Sequence, residues 1–148
     1  MPLCGAERAD WLVEPFKYDK PLADALADVK ATIAAYPSGQ RGVDGGGFEI
    51  MKEGTTATTA YVYVQFEARR KGYIDDFEIA LSDGIASVRT SSRIGYLDIG
   101  VNGKRYQWFA ETLGRLPSWT TTPLRSVDHP EYFAQNSLTD QALAAGKP

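Results

Sequence analysis

The chain has very few of the residues with which proteins bind zinc or form covalent intermediates. Its 148 residues include one cysteine, Cys4, and one histidine, His129. A disulfide within the chain is therefore excluded, and the sequence supports neither a Cys/His zinc site nor a nucleophile activated by histidine. We expect no metal, no cofactor and no catalytic residue, so the protein is not expected to be an enzyme.

Long apolar runs and an excess of positive charge are also missing. No segment has the roughly 20 apolar residues that a membrane-spanning helix requires. The formal net charge of -3 argues against nucleic-acid binding, because a phosphate backbone attracts basic surfaces. The opening residues match neither a signal peptide nor a transit peptide. We expect that the chain either is made without a targeting signal or is a processed form.

Two segments have the apolar spacing of helices. Residues 19–39 predict a first helix, with Asp19 as its N-cap and a stop at Pro37. A second helix is predicted from Asn102, which can cap it, to Gly114. Each helix has one apolar stripe, which indicates that it packs against a sheet.

The segment between these helices predicts strands. Residues 59–68, 72–81 and 85–93 alternate between apolar and polar residues, after a shorter strand near 48–52. Short turns join them, which indicates an antiparallel sheet. The glycines at 42–47 lack the Gly-Lys-Ser/Thr ending of a phosphate-binding loop, so we interpret them as a flexible turn.

These elements predict an α+β domain over residues 19–116, with an antiparallel sheet of four to five strands and two helices on one face. Residues 1–18 are interpreted as an extended N-terminal arm, and residues 117–148 as an extended C-terminal arm. The C-terminal arm has four prolines but also large apolar residues, so it docks either on its own domain or on another protein. The side chains that we assign to partner binding are Trp119, Leu124, Tyr132 and Phe133.

Charged residues concentrate around the turn that opens the second helix. Two interpretations remain open for them: a structural polar cluster, or a site for a small anion or lipid headgroup near the helix N-terminus. Strand geometry points Asp75 and Asp76 to opposite faces, and Asp75 then needs a partner such as Arg89 or Arg93. The residues of this group are Asp75, Asp76, Arg89, Arg93, Asp98, Asn102, Lys104 and Arg105.

The same region resembles a family known as domain of unknown function 1499, over about residues 11–114. The family pattern combines a Phe/Tyr-x-Asp-Asp-x-Glu strand with Val-Arg-Ser-Ala-Ser-Arg-x-Gly-Tyr-x-Asp-x-Gly-x-Asn-x-x-Arg. This chain departs from it with Thr90-Ser91 in place of Ser-Ala, and with Gly103 where arginine or lysine is common. The matching positions are Phe66, Tyr73, Asp75, Asp76, Glu78, Arg89, Ser92, Arg93, Gly95, Tyr96, Asp98, Gly100, Asn102 and Arg105.

The resemblance supplies no catalytic residues, because the family has no established activity. Its occurrence in bacteria and in photosynthetic eukaryotes, with plastid-targeted members, implies a peripheral, non-catalytic subunit of an algal photosystem I-type supercomplex. The expected location is then the chloroplast, at the thylakoid surface, with photosystem core subunits as partners. The alternative is a module that binds a small anion or a lipid headgroup.

Overall fold

Six strands form one antiparallel sheet in the computed structural model of the protein, which describes residues 13–69, 72–92 and 100–144. In chain order they are β1 (Phe16–Tyr18), β2 (Gly47–Thr55), β3 (Thr59–Glu67), β4 (Ile74–Ser82), β5 (Ile85–Ser92) and β6 (Trp119–Thr120). The order across the sheet is β2-β3-β4-β5-β1-β6. The predicted α+β class is confirmed, but the sheet has more strands than the predicted four to five because the lead-in and the tail each add a short strand.

Four α-helices accompany the sheet within these ranges: α1 (Leu22–Ala34), α2 (Val101–Gly114), α3 (Pro130–Gln135) and α4 (Asp140–Ala144). None of these described helices is long and apolar enough to cross a membrane. Neither predicted cap forms as expected. Pro21 occupies the N-cap position of α1 without a side-chain cap, while Asp19 lies outside the helix. Gly100 occupies the N-cap position of α2, and Asn102 lies inside the helix, where its side chain accepts from Thr90.

The core lies between one face of the sheet and helices α1 and α2. Every second residue of β3 and β4 is buried, which is the alternation that a half-covered sheet requires. The rings of Phe77 on β4 and Phe109 on α2 stack at 4.4 Å between centroids. Helix α1 contributes Val29 and Ile33 to the same core, one turn apart on its buried stripe.

Both terminal segments take part in this architecture. Strand β1 pairs with β5 on one side and with β6 on the other, so the described part of the lead-in is inside the sheet. The segment after α2 packs its large apolar side chains into the common core: Trp119, Leu124, Tyr132, Phe133, Leu138 and Leu143. Of the two alternatives for the C-terminal arm, the structure shows docking on its own domain.

Candidate functional site

The sheet divides the predicted charged group between its two faces. Asp75 is only 8% exposed and points toward the helices, whereas Asp76, the next residue of β4, points away from them. Asn102 and Arg105 lie on the helical side with Asp75, while Arg89 lies on the same face as Asp76. Lys104 is half-buried in the first turn of α2, and Arg93 and Asp98 lie outside the described residues.

Arg105 is the centre of the helical side, and its side chain is completely buried. Its Nε donates to Asp44 Oδ2 at 2.9 Å, and its Nη2 donates to Asp44 Oδ1 at 2.5 Å and to Asp75 Oδ2 at 2.7 Å. The Asp44 contact is therefore the two-point pairing that suits a planar guanidinium. The guanidinium also lies 4.8 Å from the centroid of the Phe66 ring, close enough for a cation–π interaction.

The remaining guanidinium nitrogen also donates two hydrogen bonds. Its Nη1 donates to Thr90 Oγ1 at 2.9 Å and to Asn102 Oδ1 at 2.6 Å, and Thr90 Oγ1 donates in turn to Asn102 Oδ1 at 2.8 Å. A guanidinium has five N–H donors, and each of them has an acceptor here. Such a group has no donor left for a ligand.

An outer layer of polar side chains completes this cluster. The Tyr36 hydroxyl donates to Asp44 Oδ2 at 2.5 Å and accepts from Gln40 Nε2 at 2.8 Å. We define the buried arginine cluster by these residues: Tyr36, Gln40, Asp44, Asp75, Thr90, Asn102 and Arg105. It joins the turn after α1, the two central strands β4 and β5, and α2.

Burial has large electrostatic effects inside the buried arginine cluster. Burial alone would lower the pKa of Arg105, but the carboxylates of Asp44 and Asp75 outweigh it and raise that pKa, so the guanidinium stays charged. Burial, followed by the charge of Asp44, raises the pKa of Tyr36 far above its ordinary value. The cluster therefore holds a charged arginine and a neutral tyrosine.

The glycine-rich turn has a defined structural role. Asp44 reaches Arg105 because the chain takes left-handed backbone angles at Arg41, with φ of 49°, and at Asp44, with φ of 59°. Gly39 and Gly42 have positive φ without steric cost, so they allow this tight path. The segment is a turn, as predicted, and it also supplies the main carboxylate of the cluster.

Arg41, on the same turn, ties the C-terminal segment to the domain. Its Nε donates to the Leu143 carbonyl at 2.8 Å, its Nη1 to Gln40 Oε1 at 2.9 Å and its Nη2 to Glu111 Oε1 at 2.6 Å. These contacts link α4, the turn and α2. Through Gln40, the C-terminal segment is connected to the buried arginine cluster.

The four aromatic and apolar residues assigned to partner binding are part of this self-docking. Trp119 Nε1 donates to Asp28 Oδ2 at 2.8 Å, and the Tyr132 hydroxyl accepts from the Gly103 backbone N–H at 2.9 Å. Leu124 and Phe133 are each 4% exposed. A role for these side chains in partner binding stays a prediction, and it requires them to leave their own core.

The C-terminal segment packs so closely against Gly103 that it leaves no room for a side chain there. A Cβ atom at this position would lie 2.9 Å from Tyr132 Cε2 and 3.4 Å from Leu124 Cδ1. An arginine or lysine, common here in the pattern described above, would displace both side chains. The glycine and the docked tail therefore fit each other.

A second polar group covers the sheet face opposite α1 and α2, which we call the open face (Tyr61, Tyr63, Gln65, Asp76, Glu78 and Arg89). The Tyr61 hydroxyl donates to Glu78 Oε1 at 2.5 Å, and the Tyr63 hydroxyl donates to Asp76 Oδ1. Arg89 contacts Glu78 at 3.4 Å, with 40% of its side chain exposed. Burial, followed by the hydrogen bond and the charge of Glu78, raises the pKa of Tyr61 to about 12.

The pairing expected between Arg89 and Asp75 does not occur. These residues lie on opposite faces of the sheet, and Arg105 supplies the cation that Asp75 needs. Thr90 could have been found from the sequence, because it shares the inward face with Phe77 directly opposite it. Tyr36, Gln40, Arg41 and Asp44 could not, because no local pattern connects that turn to Arg105.

The anion-site interpretation loses part of its basis at the start of α2. The donors of Arg105 are occupied, and the Gly103 N–H is bound to Tyr132. Lys104 is the remaining described cation of the predicted group at this turn, so the alternative stays a prediction. Within the described ranges, no group of three or more His, Cys, Asp and Glu side chains could hold a metal ion.

Comparison with known proteins identifies one family. Its sequence model, described as a protein of unknown function (DUF1499), matches residues 4–113. No curated protein and no solved structure gives a significant match to the chain. The match includes the buried arginine cluster and the open face, and it stops before β6, α3 and α4.

Proposed function

We propose, from the premise that this chain belongs to the DUF1499 family of proteins of unknown function, that it is a non-catalytic protein-interaction subunit of a larger assembly. The docking surface in this proposal is the open face. The observation that carries the proposal is the arrangement of paired tyrosine, carboxylate and arginine side chains on that face.

The composition of the open face suits a protein interface. Tyrosine and arginine are enriched in such interfaces, since each combines a large contact area with a polar end. Tyr61 and Tyr63 are already held by their bonds to Glu78 and Asp76. A partner that binds there loses less side-chain entropy than on a surface of free side chains, which favours association.

The buried arginine cluster supports the domain and does not offer a reaction site. Arg105 is inaccessible, and its donors are all used within the fold. Buried charged groups of this kind are stable only when they are paired. We therefore assign to the cluster the role of holding β4 and β5, and with them the open face, in a fixed position.

The C-terminal segment is a less favourable docking element than the open face. Tyr132 is fully buried, and Arg41 holds the Leu143 carbonyl. Releasing the segment would expose the apolar surface of α2 and break these bonds, at a cost that the open face does not require. This comparison favours docking through the sheet.

The surface can be tested with a matched pair of charge reversals. Arg89→Glu on the open face is expected to weaken association with the native partner at least tenfold, because reversal places three carboxylates together. Lys30→Glu is the control, since Lys30 forms a comparable exposed ion pair with Glu53 at 2.8 Å on the helical side. Equal effects of both substitutions on co-purification, at unchanged melting temperatures, would contradict docking through the open face.

The finer form of the proposal places the assembly in a photosynthetic membrane, as a photosystem I-type complex of an alga with the subunit at the thylakoid surface. Its support is the family resemblance. Affinity isolation from gently solubilised membranes, followed by mass spectrometry, is expected to recover photosystem core subunits in stoichiometric amounts. Recovery of the protein as a free monomer would refute this assignment.

A further inference from the structure

A second surface on the helical side has the features of a peptide groove. An open groove of about 410 Å³ lies between α2, the loop after β6 and α4. Leu124 and Leu143 line its interior, and Val127 stands at its edge. A groove of this size lies within the range of binding pockets in proteins.

Val127 extends the apolar surface of the groove beyond its buried interior. The residue is 73% exposed, the largest value among the large apolar residues that the structure describes. An exposed valine beside an apolar groove gives a continuous apolar strip, which a bound apolar side chain would remove from water.

The charge at the rim selects the kind of partner. Glu111 is neutralised by Arg41 at 2.6 Å, and Arg125 pairs with Asp128 at 3.1 Å. Asp140, in contrast, accepts from the backbone N–H and the hydroxyl of Ser126, at 2.9 and 2.5 Å. These donors, and to a smaller extent the charge of Arg125, lower the pKa of Asp140 and keep it ionised. Because Arg125 also pairs with Asp128, its single positive charge faces two carboxylates, and each oxygen of Asp140 can accept a further bond.

We propose that this groove binds an extended segment of a partner protein that places an aliphatic side chain against Val127 and Leu143, and an adjacent lysine or arginine on Asp140. The apolar strip supplies most of the contact, and the carboxylate fixes the direction of the segment. This surface is separate from the open face, so the proposal does not depend on docking there.

The test uses capped synthetic peptides titrated into the isotope-labelled full chain, with binding followed by amide chemical shifts in NMR spectra. One peptide has lysine next to leucine, a second has glutamate next to leucine, and a third has lysine next to serine. We expect the lysine–leucine peptide to shift the backbone amide signals of residues 124–127 and 140–144. The other two peptides should bind at least fivefold more weakly, the size of one ion pair or one lost apolar contact.

Variants locate the binding without disturbing the fold. Asp140→Asn keeps an oxygen for the Ser126 N–H but removes the charge. It should weaken binding of the lysine–leucine peptide about fivefold. Val127→Ser should weaken binding of this peptide by a similar factor, because it removes an apolar contact with the leucine. The fold should not change, because an exposed valine contributes little to the core. Glu131→Gln removes an exposed charge that does not line the groove, and it should leave the affinity unchanged.

Several outcomes would overturn the proposal. Equal affinity for the lysine and glutamate peptides would remove the role of Asp140, and shifts confined to β3–β5 would assign the peptide to the open face. Binding that appears only after deletion of residues 145–148 would assign the groove to the chain itself. Self-association that Val127→Ser abolishes would assign it to a second copy. None of these results depends on Arg89→Glu, so failure here is distinguishable from failure of the proposed function.

Discussion

Similar sets of polar side chains lie against the two faces of the sheet, but in opposite environments. On the helical side, Arg105 binds Asp44, which also accepts from Tyr36. On the open face, Arg89 contacts Glu78, which accepts from Tyr61. The side chain of Arg105 is 0% exposed and that of Arg89 is 40% exposed.

Burial changes what these similar groups contribute. An ion pair in water is screened and contributes about 0–1 kcal/mol to stability. A buried pair must recover the cost of removing two charges from water, so losing one partner is strongly destabilising. Residue type alone therefore does not distinguish a structural cluster from a binding surface, whereas burial does.

The largest expected difference between the faces concerns the two arginines. Arg105→Met should reduce the free energy of unfolding by about 3–5 kcal/mol, because it removes the buried cation that pairs with Asp44 and Asp75. Arg89→Met should reduce it by less than about 1 kcal/mol. Urea unfolding of both variants measures these values, and similar losses would show that the comparison is wrong.

The hydroxyls of the two tyrosines should show a smaller difference of the same sign. Tyr36→Phe removes a donor to Asp44 and an acceptor for Gln40, and it should cost about 1–3 kcal/mol. Tyr61→Phe removes a donor to Glu78 that water can replace, so its cost should stay below about 1 kcal/mol. If Tyr61→Phe proves the more damaging in urea unfolding, the open face has a structural role that we have not assigned to it.

The smallest effect concerns alkaline pH. Folding raises the pKa of Tyr61 from 10.0 to about 12, first through burial and then through Glu78. The folded state therefore holds this proton more tightly, so the stabilisation is complete below about pH 10 and is lost as pH rises through 12. Tyrosinate absorbance should show a titration near pH 12 that is absent from Tyr61→Phe. Titration of that tyrosine at its ordinary pKa would contradict the contact with Glu78.

The sequence predicts most of the sheet, because alternation is a local property. Phe77 and Ile79 fall on the covered face of β4, and Asp76 and Glu78 fall on the other, as the period of two requires. The same rule separates Asp75 from Asp76. It could not identify the partner of Asp75, since Arg105 comes from a helix 30 residues away along the chain.

For the C-terminal segment, composition predicts docking but not the surface on which it docks. Its prolines and weak periodicity indicate an extended arm, and its aromatic residues indicate docking, but composition does not say on what. Trp119 donates a hydrogen bond to Asp28, which is 91 residues away along the chain. Tyr132 accepts one from Gly103, which is 29 residues away. Contacts of this range depend on the assembled domain.

Local periodicity and residue counts are enough to predict the α+β class and the two faces of each strand, and they show how few cysteine and histidine residues the chain has. The packed fold was needed to see that Asp44 meets Arg105, that Arg41 binds the Leu143 carbonyl, and that Arg89 lies on the open face with 40% of its side chain exposed. Each of these outcomes is set by whether a charged group is buried, and burial is a property of the packed chain.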